Sequence, residues 1–131
     1  MVKKKKRKND EEILQQHCIS YLSFLANRVN IIFYAPMNEA ILMILKKYRV
    51  PDKICFAILA FLKKMGWLPG VSDLVIGFGG KMFCVELKTK IGVQSDNQKL
   101  FMKNCHKADV VYVVVRSFEE FQGYLTYWGM G

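Results

Sequence analysis

In the stretch Lys81-Met-Phe-Cys-Val-Glu-Leu-Lys-Thr89 apolar and polar residues alternate, and this alternation constrains the fold more than any other feature of the chain. A period of two is the signature of a strand, with Phe83, Val85 and Leu87 on one face and Cys84, Glu86 and Lys88 on the other. Asp73 to Phe78 reads as a second strand, joined to the first through Gly79-Gly80, a glycine turn short enough to make a hairpin. The three apolar residues fix the core side, so Glu86 and Lys88 lie side by side on the opposite face. If the strands pair through the glycine turn, Asp73 and Glu86 meet across the ladder. Two carboxylates so placed repel, and a divalent cation relieves the repulsion. Oxygen ligands with no nearby histidine or thiolate favour Mg2+ or Mn2+. Such an ion lowers the pKa of water and stabilises charge on phosphoryl oxygens, while Lys88 orients the water or neutralises developing charge. The chemistry this pattern points to is phosphodiester hydrolysis.

The rest of the chain supplies a frame for that hairpin. Ile13, Leu14, Cys18, Tyr21, Leu22 and Leu25 recur at helical spacing over Glu11 to Arg28, with Asp10 as the N-cap. Asn30 to Ala35 reads as a short strand stopped by Pro36, and Glu39 to Tyr48 as a helix. A further helix has Pro51 in its first turn, runs to Met65 and closes at Gly66. Its apolar run, Ile54 to Leu62, is expected to be buried; bracketed by Lys53 and Lys63, it is far short of the ~20 residues that span a bilayer. Ser95 to Gln98 is a capping box opening a helix to about Lys107, Val110 to Val115 a strand buried on both faces, and Ser117 with Glu120 the cap of a helix through Tyr127. The order predicts an α/β fold in which helices flank a small mixed β-sheet.

Charge and cysteine use narrow the function classes. Twenty Lys and Arg against 11 Asp and Glu give a net charge of +9 over 131 residues. Much of the excess sits in Lys3, Lys4, Lys5, Lys6, Arg7 and Lys8, a basic arm over residues 1–9 that is expected to be disordered and to contact nucleic-acid phosphates. A signal peptide would need an apolar core where Asn9 to Glu12 stand. Cys18, Cys55, Cys84 and Cys105 form no C-x-x-C pair, so reduced, buried thiols in a cytoplasmic protein are expected, without membrane attachment.

The string Gly70-Val-Ser-Asp73-Leu-Val-Ile, followed by Phe83-Cys-Val-Glu86-Leu-Lys88-Thr, resembles the PD-(D/E)XK nuclease signature, and more narrowly the VRR-NUC family of virus-type replication and repair nucleases. The resemblance takes in Glu11 and Gln15 on the first helix, the pair Asn38-Glu39, Ser95 to Gln98, and the terminal strand leading into Arg116-Ser117. It spans Glu11 to about Leu125, within a domain taken as residues 10–131, and implies a restriction-endonuclease-like core. It implies Asp73 and Glu86 as metal ligands with the main-chain carbonyl of Leu87, Lys88 at the attacking water, Glu11 as an additional carboxylate near the metal, and Gln98 close to the active site. Two departures stand out. Ser72 replaces the proline expected before Asp73, which loosens the turn, and residues 40–65 are more apolar and helical than the family pattern, as a cap or a homodimer surface would be.

The resulting expectation is a nuclease, an endonuclease acting on structured or branched DNA rather than RNA, with Mg2+ or Mn2+, similar to small viral and bacterial family members that serve DNA repair. Lys90, Lys99, Lys103 and Lys107 are further candidate phosphate contacts. Cutting both strands requires two active sites, for which a homodimer is the simplest arrangement. The rival is a basic nucleic-acid-binding module without catalysis, in which the acidic pair is structural; Glu12 competes with Glu11 for the helix role. His17 and His106 are assigned none.

Overall fold

The computed structural model describes residues 2–38 and 40–131, with side chains described from Asp10 onward. Among the described residues nine elements follow one another: α1 (Val2–Leu25), β1 (Ile32–Tyr34), α2 (Ala40–Lys47), α3 (Asp52–Lys64), β2 (Leu74–Phe78), β3 (Lys81–Leu87), α4 (Asp96–Lys107), β4 (Val111–Val115) and α5 (Phe118–Tyr127). Helix α1 already includes Asp10, which therefore stands inside the helix rather than at its N-cap. Lys and Arg are good helix formers, and no glycine or proline ahead of Asp10 forces a start there. The phosphate contacts expected of Lys3 to Lys8, and any role of Glu39, fall outside the described residues and side chains.

The four strands form one mixed sheet in the order β1-β2-β3-β4, with β1–β2 and β2–β3 antiparallel and β3–β4 parallel. The hairpin pairs as its alternation requires: Phe78 faces Lys81 and Leu74 faces Val85, with Gly79 and Gly80 both at positive φ in the turn. Leu74, Ile76, Phe83, Val85 and Leu87 pack with Leu22 of α1 and Phe121 and Leu125 of α5. On the opposite face Val75, Cys84 and Tyr112 pack with Cys105 and Phe101 of α4. Helices thus cover both faces, and α4 makes the crossover that a parallel β3–β4 pair needs.

Caps set the helix ends. Ser95 accepts a hydrogen bond from the Gln98 N–H at 3.2 Å while the Gln98 side-chain oxygen accepts from the Ser95 N–H at 2.9 Å, the complete box. At α5 Ser117 accepts from the Glu120 N–H, but Glu120 reaches back to the N–H of Arg116, one residue earlier than in a capping box. Pro51 is the N-cap of α3 rather than part of its first turn.

Two burial expectations need correction. Both faces of β4 are packed, yet only Tyr112 and Val115 are buried, because β4 is an edge strand. The run Ile54 to Leu62 is not a buried helix: Cys55 is the buried residue of α3, while Phe56 is 71% and Phe61 61% exposed. The reason is positional, since α1, α5 and α4 already occupy the faces of the sheet and leave α2 and α3 without an apolar surface to cover.

All four cysteines are buried and none is paired with another. Burial pushes the Cys18 and Cys105 thiols up to about 12, and a protonated, enclosed thiol is a poor nucleophile. The native protein is therefore expected to leave a disulfide reagent such as DTNB unreacted over minutes and to release all its thiols on unfolding. Prompt reaction in the native state would contradict this packing.

Candidate active site

The site forms where the hairpin's open end meets α1, α2 and α4. Continuing the β2–β3 register one step beyond Leu74–Val85 sets Asp73 opposite Glu86, as the glycine turn predicts. Ser72 is fully buried and its hydroxyl donates to the Leu74 carbonyl at 3.0 Å. The turn before Asp73 is thus tied by a hydrogen bond and is not loosened by the missing proline.

Asp73 is held at both oxygens: Oδ2 accepts from the Leu87 N–H at 2.8 Å and Oδ1 from the Asn38 amide at 3.1 Å. Glu86 is 2% exposed. Its Oε1 accepts from the Gln98 amide at 3.0 Å and pairs with the Lys88 ammonium at 3.7 Å, whereas Oε2 is buried with no hydrogen-bond partner among the described residues. Gln98 accordingly does two things at once, its oxygen closing the α4 cap and its nitrogen holding Glu86.

Burial and mutual repulsion dominate the electrostatics. Desolvation pushes Glu86 from its ordinary 4.5 up to about 9, with the Asp73 charge adding to it and Lys88 opposing it. Desolvation also raises Asp73, against the lowering effect of the Leu87 N–H, a hydrogen bond from the Glu86 carboxyl when that is protonated, Lys88 and the Asn38 amide. Glu11 raises Glu86 further from helix α1. Glu11 and Glu12 both border the cleft, but Glu11 is the half-buried one, Glu12 is exposed, and it is the Glu11 charge that reaches Glu86.

A cleft of about 440 Å³ gathers Glu11, Asn38, Asp73, Glu86, Leu87, Lys88 and Gln98, with Leu42 and Met43 of α2 along its lip. The cluster named from the sequence is therefore brought together. Lys90, Lys99, Lys103 and Lys107 are exposed and lie outside the cleft lining. Among the described residues no three His, Cys, Asp or Glu groups are grouped as a metal cage. A hard ion needs less: Mg2+ keeps several waters and takes one or two carboxylates. The residues present fit that demand, since a buried carboxylate oxygen without a donor, opposite a second carboxylate, carries a desolvation cost that a cation offsets.

Three contacts were not read from the sequence as parts of the site. Asn38 bonds Asp73, Gly70 packs against the start of α4, and the Arg116 guanidinium donates to the Thr89 and Gly92 carbonyls at 2.7 and 2.8 Å, pinning the loop after Lys88. The signals available were the glycine of Gly70-Val-Ser-Asp73, which sits at positive φ, and the presence of Asn38 and Arg116 in the family resemblance. No protein-family model, curated protein or solved structure matches the chain.

Proposed function

We propose that this protein is a nuclease that hydrolyses phosphodiester bonds with Mg2+ or Mn2+, an endonuclease of the VRR-NUC type on a restriction-endonuclease-like core, acting on structured DNA. The observation that carries the reading is the buried Glu86 carboxylate, its Oε2 unpartnered among the described residues, set opposite Asp73 with the Lys88 ammonium alongside. Desolvation and the Asp73 charge both penalise ionised Glu86, and a bound cation would offset that cost.

Asp73, Glu86 and the Leu87 carbonyl would hold the metal, with Glu11 close by. Once bound, the ion supplies Lewis acidity toward a phosphoryl oxygen and toward the attacking water. The chain's own residues do the rest. Lys88, 12% exposed at its side chain, keeps its ammonium against Glu86, and in this reading it orients the water or meets negative charge on the phosphate. Gln98 fixes the Glu86 carboxylate, so that Oε1 is committed and Oε2 is free. Exposed Lys99 and Lys103 on α4, together with Lys90, serve as phosphate contacts alongside the basic N-terminal segment. Because Lys88 is not a ligand, Lys88→Met is expected to retain Mn2+ binding while cleavage falls by about a hundred- to a thousand-fold. Equal cleavage by wild type and Lys88→Met would remove the lysine from the mechanism.

The apolar helices α2 and α3 are assigned to a homodimer interface. Ile44, Tyr48, Phe56, Phe61 and Met65 are all more than half exposed, and the homodimer reading has a second copy cover them. The double substitution Phe56→Glu and Phe61→Glu is expected to convert a dimer to a monomer in analytical ultracentrifugation. A wild type that sediments as a monomer at all concentrations would contradict the assignment.

A further inference from the structure

Asn38 joins two parts of the molecule through one side chain. Its amide nitrogen donates to Asp73 Oδ1 at 3.1 Å and its oxygen accepts from the Ala40 N–H at 3.0 Å, at the start of α2. The orientation of the amide is forced, since a carboxylate only accepts and a main-chain N–H only donates. The neighbouring backbone is anchored as well: the Trp67 indole, just beyond α3, donates to the Met37 carbonyl at 2.8 Å and closes the α2–α3 pair at its base. Asn38 therefore sits where that pair joins the cleft.

We infer that Asn38 is a positioning residue for the metal site, holding the Asp73 carboxylate in its ligating rotamer and linking that rotamer to the seat of helix α2. The inference rests on the reading of Asp73 as a metal ligand. Oδ2 of Asp73 is fixed by the Leu87 N–H on β3. The Asn38 amide holds the other oxygen, Oδ1, against rotation about that contact. Groups that orient metal ligands from behind typically change affinity by about ten- to a hundred-fold when removed. Asn38 touches neither substrate nor metal on this reading, so its loss weakens ion binding and is overcome by more ion.

Substitution separates the two jobs of the side chain. Asn38→Ser keeps an oxygen that can accept from the Ala40 N–H but has no amide to give Asp73; Asn38→Ala has neither. Binding of Mn2+ alone is followed by the electron paramagnetic resonance signal of the free ion, and melting temperature is measured in EDTA. The expected result is that Asn38→Ser binds Mn2+ about tenfold more weakly than wild type with its metal-free melting temperature kept within about 2 °C. Its cleavage is then recovered at raised Mn2+, whereas that of Asp73→Ala is not. Asn38→Ala adds a loss of melting temperature to the same loss of affinity. If Asn38→Ser binds Mn2+ like wild type, or melts as low as Asn38→Ala, the positioning role is overturned and the metal site stands. If wild type itself takes up no Mn2+, the site reading fails and this inference fails with it, an outcome visible before any variant is compared.

Discussion

Glu86→Gln is expected to raise the melting temperature of the EDTA-treated protein by about 7 °C, a stabilisation on the order of 2 kcal/mol, while removing the response to Mn2+. Glutamine keeps the shape of the side chain and an oxygen for Gln98, and it is neutral beside Asp73 without taking up a proton. The sign of the pH dependence follows from the raised pKa. Glu86 takes up a proton in the folded chain at about 9 and in the unfolded chain at its ordinary 4.5, so between these values the native state holds more protons than the unfolded one. The contribution of Glu86 to the stability of the metal-free protein is then fully present below its unfolded value and lost as pH rises through the raised folded one. Asp73, also raised, adds to the same trend. The Glu86→Gln profile is expected to be flatter than that of wild type across this range in denaturant titrations. A variant less stable than wild type at every pH would mean that Glu86 is a structural anchor. With Mn2+ present the order reverses, since the ion stabilises only the chain that binds it.

Gly70→Ala is expected to be the most damaging single-methyl change in the molecule. Gly70 has a φ of +80°, and a β-carbon there would stand 2.4 Å from the carbonyl carbon and oxygen of Asn97 and 2.7 Å from the Gln98 nitrogen. Those are main-chain atoms of the capping box, which cannot step aside as a flexible side chain can. Backbone strain at positive φ and the steric overlap each cost about 1–3 kcal/mol, so a loss of several kcal/mol is expected in urea unfolding. The displacement falls on Gln98, whose nitrogen holds Glu86 Oε1. Cleavage should therefore fall further than stability explains at a temperature where the variant is still folded. Gly66→Ala is the comparison, because its φ of +102° carries the same backbone strain while nothing lies within 4 Å of the added carbon. Equal effects of the two substitutions would show that close packing against α4 is unimportant.

How much of this was legible in the sequence depended on whether the determining interactions were local. The β2–β3 hairpin was readable because a period of two and a glycine turn together fix its register, and that register sets Asp73 opposite Glu86. The α4 start was readable because a capping box is written within four residues. The exposure of α3 was not, since an apolar run says that a surface wants cover but not whether the sheet has a free face to give it. The Asn38–Asp73 bond joins residues 35 apart, and only the fold brings them together. Gln98 shows the mixed case: its cap was visible in the local pattern, and its grip on Glu86 depended on where α4 begins relative to β3.

The most direct measurement is cleavage of labelled duplex, single-stranded, flap and four-way-junction DNA by wild type and Glu86→Gln in Mn2+, Mg2+ or EDTA. The predicted result is cutting by wild type that requires the metal, is greatest on a branched substrate, and drops by on the order of a thousand-fold or more in the variant. No cutting of any substrate by wild type, with equal DNA binding by both proteins, would contradict the nuclease reading and leave a basic binding module in its place.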